Sequence, residues 1–161
     1  MKILFVIGSL EIGGSEKQMT LLIKELKKKN ISCDVFAMEK GGSLKDELNS
    51  FGVNVEYGNY KTGLGKIWFI RQILKSTFRL IKVIRRGEYN IVHSYLPLAN
   101  FLSSLAIIFC KPSILITSKR ALGTHQDRFP LWLYFDKFSN KLSKNITVNS
   151  MAVWNDVQKR E

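Results

Sequence analysis

The sequence predicts an α/β fold, a parallel sheet with helices on both faces. Three observations point to it. Short apolar runs alternate with stretches of helical period along nearly the whole chain. The first run, residues 3–7, is apolar throughout, as in a strand buried on both faces. Glycines follow it at once, where such a strand hands over to a helix.

Residues 8–14 form a loop with Gly8, Gly13 and Gly14. A helix starts at Ser15, which caps it with Gln18 as reciprocal partner. Met19, Leu22, Ile23 and Leu26 fall at i, i+3, i+4 and i+7 and make one apolar face. Residues 32–38 predict a second strand and 39–43 a turn with Gly41 and Gly42. Residues 43–51 predict a short helix capped by Ser43 and ended by Gly52. A third strand is expected over 53–57, then a glycine loop over 58–65 carrying Tyr60 and Lys61. Residues 66–87 predict a long amphipathic helix and 90–95 a fourth strand. An apolar helix over 98–110 follows Pro97, and 113–118 is the fifth strand. Residues 119–128 read as a polar loop and 129–142 as an aromatic-rich helix with Pro130 in its first turn. The sixth strand is 145–148, and a last helix begins at 150.

The 161 residues suffice for one domain with its own core, and 45% hydrophobic content excludes disorder. Lys and Arg number 25 against 13 Asp and Glu, a net charge of +12. That balance favours anionic partners: nucleic acid, anionic lipid or phosphorylated substrates. Cys33 and Cys110 are the two cysteines and lack metal-ligand spacing, so neither a metal site nor a disulfide framework is expected. A reducing cytosol fits. The first strand follows Met1 directly, so no signal peptide is expected. The longest uncharged run, 94–110, is short of the roughly 20 residues of a spanning helix. The chain stops inside its last helix at Glu161, which leads to the expectation of a longer protein.

In parallel sheets ligands bind beyond the carboxyl ends of the strands. The helix mouth at Gly13 and Gly14 offers free N–H groups and a positive dipole end to a phosphate. A plain connection whose glycines permit positive φ explains the loop equally well. The spacing fits neither G-x-G-x-x-G nor G-x-x-x-x-G-K-[ST]. His93 ends the fourth strand, as a site residue or as a histidine bonded to a backbone carbonyl. Lys119 and Arg120 end the fifth, as a pair holding a phosphate or as two solvated loop charges. His125 reads as an ordinary loop residue.

On the long helix Arg71, Lys75, Arg79, Lys82 and Arg86 fall within about 80° of one another. Ile70, Ile73, Leu74, Leu80, Ile81 and Ile84 are assigned to other faces. No acidic residue lies between Leu64 and Gly87, so i, i+4 pairing is absent. The face is either solvated or laid against anionic headgroups. Nucleic acid is the third candidate, but no nucleic-acid module is present. Leu131, Phe135 and Phe138 share a face and read as core, whereas Trp132 fits the core, an acyl chain or a membrane interface.

Residues 2–18, KILFVIGSLEIGGSEKQ, resemble the opening of family-4 glycosyltransferases of the GT-B fold, a strand followed by a G-G-x-E loop and a helix. Residues 90–97, NIVHSYLP, resemble that family's D-[IV]-V-H-x-H-x-P segment. Residues 114–123, with Ser118, Lys119 and Arg120, and residues 147–150 resemble its next two strand ends. Each motif is weak alone, but together they cover nearly the whole chain in order.

The resemblance implies the N-terminal half of a GT-B fold: a single Rossmann-like domain over 1–161 that binds mainly the acceptor. A missing C-terminal domain would carry the nucleotide-sugar and a pair of glutamates. It places Gly13, Gly14 and Glu16 at the donor diphosphate; Lys119 and Arg120, at the predicted cleft, are the candidates to hold an acceptor phosphate. It places the family's catalytic histidine pair on His93 and, by departure, Tyr95. A tyrosine can donate a hydrogen bond there but cannot act as an imidazole near neutral pH. Asn90 replaces the usual Asp. The donor would be UDP- or GDP-linked, with no prosthetic group. Transfer would be retaining, to a lipid-linked or cell-surface glycan at the cytoplasmic face of the membrane. Without a carboxylate pair of its own, the domain alone should not turn over. The reading from another class is a non-catalytic Rossmann-like module that docks on membranes or recruits a separate catalytic chain.

Overall fold

Six strands, all in parallel register, form one sheet in the order β3-β2-β1-β4-β5-β6. The protein is represented by a computed structural model, which describes residues 1–61, 65–110 and 113–160. In chain order the elements are β1 (Lys2–Ile7), α1 (Gly14–Lys28), β2 (Ser32–Ala37), α2 (Lys45–Ser50), β3 (Asn54–Tyr57), α3 (Lys66–Gly87) and β4 (Ile91–Tyr95). Then come α4 (Pro97–Ile107), β5 (Ile114–Lys119), α5 (Thr124–Arg128), α6 (Leu131–Leu142), β6 (Asn145–Val148) and α7 (Met151–Arg160). The strand order reverses at β1, so the crevice of this Rossmann-like sheet opens between the carboxyl ends of β1 and β4.

The core lies in two layers. On one face Phe5, Ile7, Val35 and Ala37 meet Met19 and Ile23 of α1 and Leu48 of α2. On the other, Leu4, Val6, Phe36, Val92 and Leu115 meet Ile73, Leu80 and Ile84 of α3 and Ala99, Leu102 and Ala106 of α4. Helix α6 joins the second layer through Phe135, stacked on Phe101 with ring centroids 4.1 Å apart. The first layer reaches Tyr95 on β4 and thins beyond it. The register carries its face on through Ile91, His93 and Tyr95 to Ile114, Ile116 and Ser118, then to Asn145 and Thr147. There Ile114 is 44% exposed, and His93, Ile116 and Thr147 are only half-buried.

Three local expectations need correction. Gly13, not Ser15, is the N-cap of α1, and no side chain caps it; the helix begins a residue earlier than expected. Ser43 does not cap α2, which begins at Lys45 after a helical Leu44. The turn before it is pinned to the first loop instead. Gly42 has φ +112°, and a Cβ there would sit 2.4 Å from the carbonyl carbon of Leu10. The Leu44 amide donates to the Leu10 carbonyl at 3.0 Å, and Ser43 Oγ donates to Glu11 at 3.2 Å. Finally, the polar loop over 119–128 contains α5. It has no apolar period, and is held by Asp156 accepting from the Gly123 amide at 2.7 Å and by Arg160 bonding Asp127 at 3.1 Å.

Candidate functional site

The end of β4 is the natural place to begin. Ser94 donates to Asn100 Oδ1 at 2.8 Å, and Asn100 Nδ2 donates to the Ser118 carbonyl at 3.2 Å. A buried amide from α4 thus ties β4 to β5. Between them Leu96 has φ +74° and ψ 155°, a region that only glycine enters freely. Pro97 then opens α4.

On the half-open face a polar string crosses the strands. His93 Nε2 lies 2.8 Å from Ser118 Oγ, which lies 2.6 Å from Thr147 Oγ1. Arg120 folds over the string. Its Nη1 donates to Gln18 Oε1 of α1 at 2.9 Å, Nη2 to Ser118 Oγ at 3.5 Å, and its Cζ stands 5.1 Å from the centre of the Tyr95 ring. The His93 ring is 4.7 Å from that of Tyr95 and 5.4 Å from that of Phe5. Burial, with the Arg120 guanidinium second, pushes the His93 pKa down to about 4. The imidazole is therefore neutral near pH 7: a hydrogen-bonding group and a weak base. Burial raises the Tyr95 pKa, and nearby Arg120 and Ser118 hold it back. Tyr95 is fully buried, and among the described residues neither its hydroxyl nor Arg120 Nε has a hydrogen-bond partner. A half-buried guanidinium with one unpaired N–H beside a neutral imidazole suits an oxygen-rich ligand.

The structure therefore brings His93, Tyr95 and Arg120 together, beside α1. Lys119 goes elsewhere. It points to the opposite face, 8% exposed, with Nζ 3.4 Å from Asp136 Oδ1. Neither a solvated charge nor a partner of Arg120, it ties β5 to α6. Gly13 and Gly14 lie at the crevice, but the Glu16 carboxylate folds back on Gly13, where an added Cβ would be 2.3 Å from Oε2. The first turn of α1 thus holds an anion of its own, whereas the Gly14 side stays open, with nothing within 4 Å of a Cβ there.

A hollow of about 670 Å³ past β2 and β3 was not foreseen as a unit. Glu39, Lys40, Lys61, Lys75, Trp68 and Tyr60 line it, with Gln72, whose buried Oε1 has no partner among the described residues. Lys40 and Lys61 were legible as residues following strands, but nothing in the sequence showed that α3 would close the space between them. The basic set on α3 divides. Arg71, Lys75 and Lys82 are exposed, Arg79 donates to the Gly58 carbonyl at 3.2 Å, and Arg86 pairs with Glu56. Ile70 and Leu74, assigned by period to faces away from the basic one, are exposed beside it. Trp132 is half-buried, edge-on to Phe135 at 5.5 Å. The side chain of His125 lies outside the described residues. Among the described residues no three His, Cys, Asp or Glu gather to hold a metal, and no helix is long and apolar enough to cross a membrane.

Solved structures share this fold at low identity. Anabaena HepE, crystallised in complex with UDP, matches with a TM-score of 0.80 at 18% identity, over 99% of this chain and 41% of its own. Sucrose-phosphate synthase from Thermosynechococcus elongatus matches with a TM-score of 0.76 at 12% identity, over 99% and 45%. UDP-GlcNAc 2-epimerase from Methanocaldococcus jannaschii matches with a TM-score of 0.70 at 13% identity, over 99% and 42%. The chain thus spans less than half the length of these proteins, and an epimerase among them shows that fold alone does not set the reaction. No curated protein sequence matches significantly. The family model for Glycosyltransferase Family 4 matches residues 12–160, from the glycine loop to the last helix. The chain belongs to glycosyltransferase family 4.

Proposed function

We propose that this chain is the acceptor-side half of a nucleotide-sugar-dependent glycosyltransferase that transfers a hexosyl unit to a lipid-linked or cell-surface glycan. The observation that carries the reading is the cluster of His93, Tyr95, Ser118 and Arg120 at the crevice, tied to α1 by the Arg120 bond to Gln18. In this reading the open N–H groups near Gly14 and the Arg120 guanidinium face the charge that grows on the leaving diphosphate. Neutral His93 holds the transferred sugar or the incoming hydroxyl in line, with the buried Tyr95 ring packed against it as support. With its pKa near 4, His93 positions rather than carries a proton. The family supports retention of anomeric configuration and a UDP- or GDP-linked donor. The lengths of the solved relatives support a second domain that supplies the rest of the donor site.

The test uses the protein at its natural length, with UDP- and GDP-sugars and a lipid extract as acceptor. Transfer is expected, with retained configuration by NMR of the product. Arg120→Ala should lower kcat on the order of 100-fold, and residues 1–161 alone should not turn over. Failure to bind any nucleotide-sugar by calorimetry would overturn the proposal and leave a binding module that recruits another chain.

A further inference from the structure

We propose that α3 is a docking edge for an anionic lipid surface, built from two rows that lie side by side. The first is apolar: Ile67, Ile70, Leu74 and Phe78 are 86%, 57%, 63% and 60% exposed. At about 100° per residue they span about 80° of the helix and run for about 16 Å along it. The second is basic. Arg71, Lys75, Lys82 and Arg86 occupy roughly the next 60°. Lys82 Nζ lies 4.9 Å from the Phe78 ring centre, so the two rows touch. Arg71 and Lys75 form no ion pair or hydrogen bond among the described residues.

A soluble helix leaves its polar arc outward and its apolar arc on the core. α3 already packs Ile73, Leu80, Val83 and Ile84 inward, together with buried Gln72, Ser76 and Thr77, so the outer apolar row is surplus to the fold. Such a row beside cations and without acidic residues matches a helix lying in the headgroup layer, with aliphatic groups in the acyl boundary and cations on lipid phosphates. A second copy suits the face poorly, because a two-fold contact would bring like charges together. A nucleic-acid backbone would satisfy the cations and leave the aliphatic row bare. Lys75 also lines the 670 Å³ hollow with Lys40 and Lys61. Docking through α3 would therefore set that hollow, lined by three lysines against the single carboxylate of Glu39, at the lipid surface. The docking surface itself does not depend on the proposed transfer reaction.

The experiment is vesicle sedimentation of the natural-length protein. It compares vesicles of phosphatidylcholine alone with vesicles of phosphatidylcholine and phosphatidylglycerol at 3:1. Binding is expected only to the mixed vesicles and should weaken with salt. Reversing the exposed cations (Arg71→Glu, Lys75→Glu, Lys82→Glu) should cost on the order of 100-fold or more. Removing the row (Ile70→Gln, Leu74→Gln, Phe78→Gln) should cost at least tenfold, with the cations intact. A Phe78→Trp reporter should be quenched by brominated acyl chains in the mixed vesicles. Circular dichroism checks that each variant folds. Equal binding by wild type and both triple variants, or none at low salt, would overturn the proposal. So would equal affinity for duplex DNA, or self-association that the Gln variant abolishes in the absence of vesicle binding.

Discussion

On the α1 side of the sheet, the half made of β1, β2 and β3 is dry and covered, and the half made of β4, β5 and β6 is polar and partly open. Equivalent register positions carry Phe5, Ile7 and Val35 on one half and His93, Ser118 and Thr147 on the other. The first set is 0% exposed and sits under α1 and α2. The second is joined by hydrogen bonds, with Arg120 folded over Ser118 and with His93 and Thr147 half-buried. One continuous sheet surface thus contributes stability at one end and recognition at the other. The change falls at β1, where the strand order reverses.

The largest effect expected from this contrast is in stability. Ile7→Ala on the covered half should cost about 2–5 kcal/mol, and Ile114→Ala on the open half within about 1 kcal/mol. Urea midpoints at constant m-value measure both, and equal losses would break the comparison. The second effect is in pH. His93 has a folded pKa near 4 against 6.5 when free, so the unfolded chain takes up its proton first. Stability should be unaffected by His93 above about pH 6.5 and fall by up to ~3 kcal/mol between there and pH 4. His93→Gln should remove that part of the acid loss. A variant that keeps the same slope would show that His93 is not the group responsible.

A smaller effect concerns the mouth of α1. Gly13→Ala would press on the Glu16 carboxylate and should cost about 1 kcal/mol. The backbone there is extended, so strain is not the cause. In a double-mutant cycle Glu16→Ala should abolish that cost, and additive losses would count against the contact. The smallest effect sharpens the polar half. Arg120→Gln removes the positive charge beside His93, so the imidazole should titrate at higher pH by NMR. An unchanged titration would leave burial as the sole cause.

Most of the architecture was legible because apolar runs and helical periods alternate, and both 66–87 and 145–148 begin and end as the periods indicated. The site was legible at strand ends but not in its facing. Lys119 and Arg120 were paired as neighbours in sequence. Lys119, the last residue of β5, faces away from Ser118 toward Asp136, while Arg120, just past the strand end, turns back over Ser118. Tyr95 shows the opposite gap: its place on β4 could be read, but its complete burial under Arg120 depends on a residue just past the end of β5. On α3 the apolar positions cover more than half the circumference, so period alone could not say that Ile73 packs inward and Leu74 outward. The caps were missed because the loop before α1 is fastened by Gly42 and Leu10, which lie far apart in sequence.

Leu96 reverses the usual order of mutational tolerance. At Leu102, fully buried on α4, which Leu96 precedes, a scan through all residues should rank replacements by volume and shape, with methionine tolerated and glycine ruinous. At position 96 the backbone ranks them instead, since φ is +74°. Glycine should be the replacement that folds most readily. Valine and isoleucine, among the nearest to leucine in size, should be among the worst, because a β-branched residue resists positive φ most strongly. Two leucines six residues apart would then give nearly inverted profiles, one recording the space around a side chain and the other the bend that carries β4 into α4.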